Sequence, residues 1–145
     1  MEVHVVDGTF ELFRYFYAVP PHDAGGRDVG ATRAVLRSLV GMLEGGATHV
    51  GVATDHVIES FRNDMWPGYK TGAGIDSALR SQFGLLEDAL RAAGFAVWAM
   101  VDVEADDALA SAAAVADADP SVERVHVCSP DKDLADDIAA LVAAK

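Results

Sequence analysis

Seven acidic residues stand where this sequence passes from apolar, strand-like runs into turns and helical runs: Asp7, Asp55, Glu104, Asp106, Asp107, Asp131 and Asp133. The densest group lies in V-D-V-E-A-D-D-A-L-A over 101–110, where an apolar run gives way to an alanine-rich one. Each acid has an ordinary role by itself. Acids in a first helical turn complement the exposed N–H groups there, Asp7-Gly8 reads as a turn, and Asp55 and Asp131 read as caps. Taken together they exceed what capping requires. Gathered carboxylates repel one another unless a cation lies among them, and a hard divalent ion with oxygen ligands is the economical choice. The set contains no histidine or cysteine, which suits Mg²⁺ or Mn²⁺ better than zinc. Two such ions about 4 Å apart can activate water and stabilise the leaving oxygen of an in-line phosphoryl displacement. Arg62 and Lys70, in the segment after the second acid, would supply positive charge to a phosphate.

For these acids to act together, the chain must bring them to one place. Residues 3–6 and 48–54 read as buried strands ending at Asp7 and Asp55, and residues 95–101 and 124–128 as strands preceding the other acids. Helical spacing is expected over 10–19, 29–43, 75–93 and 105–118, with Gly45-Gly46 and Gly94 as stops. Ser129-Pro130-Asp131 is expected to open a last helix, with Pro130 in its first turn. Residues 20–27 form a loop, and 61–74, with its aromatics, two cations and four breakers, a mobile loop. Strands alternating with helices predict an α/β fold of three layers, with a mostly parallel central sheet of at least four strands. In such a sheet the carboxyl ends share one edge, where ligands gather.

The 145 residues and 51% hydrophobic content predict one folded domain with a real core. No apolar run approaches the ~20 residues of a membrane span, and the first residues lack a secretory pattern. The expectation is a cytoplasmic protein with no membrane partner. Cys128 is the only cysteine, so it has no intrachain disulfide partner, and the five histidines form no H-x-x-x-H pair. Against 11 Lys+Arg stand 23 Asp+Glu, a net charge of −12. That balance repels a phosphate backbone unless basic residues concentrate locally or metals offset the acids; two divalent ions bring it only to about −8.

In chain order the motifs are V-V-D-G-T at Asp7, the acid at Asp55, F-R-(x)5-G-Y-K from Phe61 to Lys70, E-A-D-D at 104–107 and S-P-D-K-D at 129–133. This series resembles the N-terminal resolvase-like (PIN-like) half of the 5′–3′ exonuclease/flap endonuclease family. That family includes the nuclease domain attached to bacterial DNA polymerase I. The resemblance runs over nearly the whole chain, and E-A-D-D followed by S-P-D-K-D is its specific part. It implies that all seven acids bind metal, two ions of Mg²⁺ or Mn²⁺. It further implies that Arg62 and Lys70 are catalytic residues touching the scissile phosphate, and that Tyr69 stacks on a base or packs beneath its loop. The implied substrate is DNA with a free 5′ end, a flap or a nick, with RNA as an alternative.

Family members usually continue through further metal-binding acids and a helix–three-turn–helix that grips duplex DNA. Residues 1–145 are therefore expected to be a single N-terminal domain without that half, of weak activity, self-associating through an exposed sheet edge. Two other readings stay open: a PIN-type single-strand ribonuclease, and a non-catalytic folded module. A haloacid dehalogenase-type phosphatase is excluded, because its nucleophilic aspartate would fall at Val5.

Overall fold

The computed structural model describes the whole chain except residues 59, 61, 67, 69, 70, 144 and 145 and the side chain of residue 141. Its centre is a four-stranded sheet of β1 (Glu2–Asp7), β2 (His49–Asp55), β3 (Ala96–Met100) and β4 (Arg124–Cys128). The spatial order is β3-β2-β1-β4 and every pair is parallel, with Asp7 beside Ala53 and Asp55 beside Met100. Successive side chains of a strand point to opposite faces. The neighbours Val5 and Val6 are accordingly both buried, in two different apolar clusters. This is why β1 and β2 read as continuous apolar runs rather than alternating ones.

One face carries α1 (Gly8–Ala18), α2 (Gly30–Glu44), α4 (Ser77–Arg80) and α5 (Gln82–Ala92). Leu12, Val35, Leu39, Leu79, Leu86 and Leu90 pack there on Val6, Val50 and Val52. The other face carries α6 (Ala105–Asp117) and α7 (Asp133–Ala143), whose Leu109, Ala110, Ala113 and Leu134 pack on Val5 and Ala53. The small alanines of α6 allow it to lie close to the sheet, and burying a leucine such as Leu109 contributes about 1.5–3 kcal/mol. Thus α1, α2, α4 and α5, which follow β1 and β2, lie on one face, and α6 and α7, which follow β3 and β4, on the other. That divergence opens a crevice beyond the strand ends.

Four local expectations change. Asp7-Gly8 is not a turn: α1 starts at Gly8 directly from β1. A Cβ on Gly8 would lie 2.6 Å from Val52 Cγ1, so the missing side chain is what seats the first turn of α1 against β2. The helix expected over 75–93 is interrupted at Ser81, whose hydroxyl donates to the Ala78 carbonyl at 2.8 Å. The last helix begins at Asp133, so Pro130 precedes it; the turn is held by Asp131 Oδ1, which accepts from Asp133 N–H at 2.9 Å. The segment over 61–74 contains a one-turn helix, α3 (Arg62–Met65), in addition to loop. Strand four and the starts of α2 and α6 fall within a residue of expectation.

Candidate active site

The carboxyl ends of β1, β2 and β3 converge as the parallel sheet requires. Asp7, Asp55, Glu104 and Asp106 line one cleft of about 290 Å³, together with Thr9, Phe10, Phe13 and Ala105. Each acid is positioned by the element next to it. Asp7 ends β1 and caps α1, its Oδ1 accepting from Phe10 N–H at 2.8 Å. Asp55 ends β2 and is 6% exposed. Its Oδ1 accepts from Ala105 N–H at 2.8 Å, so an acid of β2 satisfies the first turn of α6, which crosses above it. Its own N–H donates to Thr9 Oγ1 at 2.8 Å, tying the end of β2 to the start of α1.

Glu104 and Asp107 form a reciprocal capping box on α6, with Glu104 N–H donating to Asp107 Oδ2 at 2.9 Å. Glu104 is also buried, and its Oε1 accepts from Ser60 Oγ at 2.6 Å. Asp107 receives both terminal nitrogens of Arg62, each at 2.9 Å, in a bidentate pair. Arg62 Nη1 lies 3.3 Å from Glu104 Oε1 as well. The hydrogen bonds to Asp107, then the charges of Asp107 and Glu104, raise the guanidinium pKa above its ordinary value. Arg62 is therefore a permanent cation set beside the cleft.

Asp131 and Asp133 follow β4 but are exposed and are not among the residues lining the cleft. Tyr69 and Lys70 lie outside the described residues. As the described side chains stand, no group of three His, Cys, Asp or Glu converges closely enough to hold a metal ion. The carboxylates fit a hard divalent ion in kind, being all oxygen and facing one cleft, while Glu104 and Asp107 are drawn onto Arg62 and Ser60.

Sequence reasoning missed the support beneath Asp55. Glu87 of α5 is 3% exposed and engages both residues flanking Asp55. Thr54 Oγ1 donates to Glu87 Oε1 at 2.8 Å, and His56 Nδ1 lies 2.9 Å from Glu87 Oε2. Arg91 Nη1 stands 3.7 Å from the same carboxylate. The available signal was a lone acid on the apolar stripe of Phe83, Leu86 and Leu90. Ser60 gave no such signal, since its partner Glu104 is 44 residues away.

A family model described as the 5′–3′ exonuclease, N-terminal resolvase-like domain, matches residues 2–144. The chain belongs to this family. DNA polymerase I of Rhizobium leguminosarum is 32% identical over 141 residues, covering 90% of this chain and 14% of that protein. DNA polymerase I of Mycobacterium leprae (strain TN) is 31% identical over 134 residues, covering 89% of this chain and 14% of its own length. That of Bacillus caldotenax is 32% identical over 133 residues, covering 90% and 15%. The chain thus spans about one seventh of the length of the curated relatives it matches. The α/β/α fold with its all-parallel sheet agrees with the family, which is one of nucleases. Among the described residues no helix is long and apolar enough to cross a membrane.

Proposed function

We propose that this domain hydrolyses phosphodiester bonds of DNA from a 5′ end, flap or nick, with Mg²⁺ or Mn²⁺ as cofactor. The observation that carries this reading is the single cleft lined by Asp7, Asp55, Glu104 and Asp106 in a chain of the 5′–3′ exonuclease family. Those four acids would hold the metal, with Asp107, Asp131 and Asp133 as the remaining acids of the proposed set. Bound divalent ions supply an activated water and stabilise the leaving oxygen. The chain's own groups do the rest. The planar fork of Arg62 matches two phosphate oxygens as well as it matches a carboxylate. Lys70 is proposed to join it at the scissile phosphate, and Tyr69 to stack on a base. Buried partners position the end of β2 and the start of α6, so the acids that would hold the metal are set in place before the phosphate arrives.

The test is Mn²⁺-dependent cleavage of a 5′-labelled flap, a nicked duplex and a single-stranded RNA, with Asp55→Ala and Asp107→Ala as controls. Cleavage of the DNA substrates, lost by at least 10²-fold in both variants, is expected. Undiminished cleavage by the variants would overturn the site. Cutting confined to the single-stranded RNA would replace DNA with RNA as the substrate.

A further inference from the structure

A cation stands beside the acid cleft. Arg62 spans Asp107 with two 2.9 Å hydrogen bonds and reaches Glu104 at 3.3 Å. These are two of the acids proposed to serve the metal, and both are engaged by the guanidinium. We propose that Arg62 is a latch: it neutralises Glu104 and Asp107 when no divalent ion is bound, and Mg²⁺ or Mn²⁺ must displace it to use those carboxylates. This rests on the reading of the cleft as a metal site and adds to it a competition between protein and ion.

Three features favour a latch over a fixed structural pair. First, Asp107 Oδ2 already accepts from both Arg62 Nη1 and Glu104 N–H. An entering ion therefore competes for an oxygen in use. Second, Arg62 sits on α3, a single turn with no buried residue, whereas Glu104 and Asp107 are fixed to the start of α6 by their capping box. The acids are tied to one helix start by each other, whereas the cation comes from a separate short segment. Third, a guanidinium fork binds carboxylate and phosphate with the same bidentate geometry. Released from Asp107, Arg62 meets an incoming phosphate without needing a new conformation of its own head group.

The consequence is arithmetic. If the competent, open form is a minor fraction of the metal-free protein, the apparent metal affinity falls by that fraction. Both partners are about one-third exposed, so the pair is of moderate strength. Removing the fork should then tighten metal binding by about five- to tenfold.

Calorimetric titration of Mg²⁺ and Mn²⁺ into the nucleic-acid-free protein tests this with Arg62→Gln and Arg62→Lys. The glutamine variant should bind about five- to tenfold more tightly. The lysine variant, which keeps the charge without the fork, should fall between it and the parent. The side-chain ¹⁵N–¹H signals of Arg62 give a second readout on the unmodified protein: rotation about its guanidinium should be hindered without metal and free at saturating Mg²⁺. Equal or weaker affinity in Arg62→Gln, or guanidinium signals unmoved by Mg²⁺, would overturn the latch alone. A lysine variant identical to the parent would overturn its bidentate basis. No binding by any of the three proteins would overturn the metal reading itself, and the latch with it. Should Arg62→Gln fail to fold, judged by its melting curve, the lysine variant and the resonance measurement decide.

Discussion

Glu87 offers the sharpest test of how the cleft is held. Its two oxygens grip Thr54 and His56 from the sheet face that α5 covers, so the chain is fixed on both sides of Asp55. Replacing it with alanine leaves the Thr54 hydroxyl, 4% exposed, buried without its acceptor. An unsatisfied buried hydroxyl costs about 1–3 kcal/mol. The His56 side chain is half exposed, so water replaces most of that second contact and it adds only about 0.5–1 kcal/mol. Relief of the buried carboxylate's desolvation opposes both terms. The net expectation for Glu87→Ala is a loss of about 1–3 kcal/mol, seen as a melting temperature lowered by roughly 3–10 °C. Glutamine has an oxygen for Thr54 and an amide N–H for His56, so Glu87→Gln should lose less than about 1 kcal/mol. Urea unfolding and thermal melts of the two variants measure this directly. Since Asp55 lies between the two gripped residues, cleavage by Glu87→Ala should fall further than its folded fraction explains. An alanine variant within about 0.5 kcal/mol of the parent, or a glutamine variant as damaged as alanine, would refute the reasoning.

Further outcomes follow from the same structure. Gly8→Ala should destabilise by about 1–3 kcal/mol in urea unfolding, because its Cβ would meet Val52 Cγ1 at 2.6 Å and Thr54 Cγ2 at 3.0 Å, both on a central strand. Gly51→Ala would place a Cβ 2.4 Å from the Trp98 ring, so tryptophan fluorescence should report a displaced indole. His4 stacks on His126 at 4.3 Å between ring centroids, and its pKa is lowered by burial first and by the His126 charge second, with Glu2 opposing. The unfolded chain therefore binds the proton more readily. Stability from His4 is present above its ordinary value near 6.5 and is lost as pH falls below it, which denaturant unfolding at pH 7 and pH 5 should show, with a smaller difference in His126→Gln. β3 and β4 form the two edges of the sheet, so self-association is expected to grow with concentration in light scattering; a constant monomer mass would exclude it.

Much of the fold was legible in the sequence for a local reason. Buried parallel strands need unbroken apolar runs and amphipathic helices need a stripe, and both patterns are short-range, so β4 and the starts of α2 and α6 could be read within a residue. That acids ending β1 and β2 and following β3 would come to one edge was legible because a parallel sheet sends its strand ends there. Boundaries governed by contact with another element were not. The start of α1 at Gly8 depends on Val52, far along the chain, and the position of Pro130 depends on the Asp131 turn that closes before α7.

The sequence by itself determined which residues carry carboxylates, that their donors are all oxygen, and the order of strands that delivers them. Tertiary structure alone decided which of them share the cleft. Asp7, Asp55, Glu104 and Asp106 line it, while Asp131 and Asp133 stand exposed after β4. Tertiary structure also decided that Asp107 is held by Arg62 and that Asp55 is braced by Glu87 through its neighbours. The reason is physical. A side chain's type and its strand are written locally, but the pairs Glu87 with Thr54 and His56, Arg62 with Asp107, and Asp55 with Ala105 lie 31 to 50 residues apart, and only packing the layers together brings them within 3 Å.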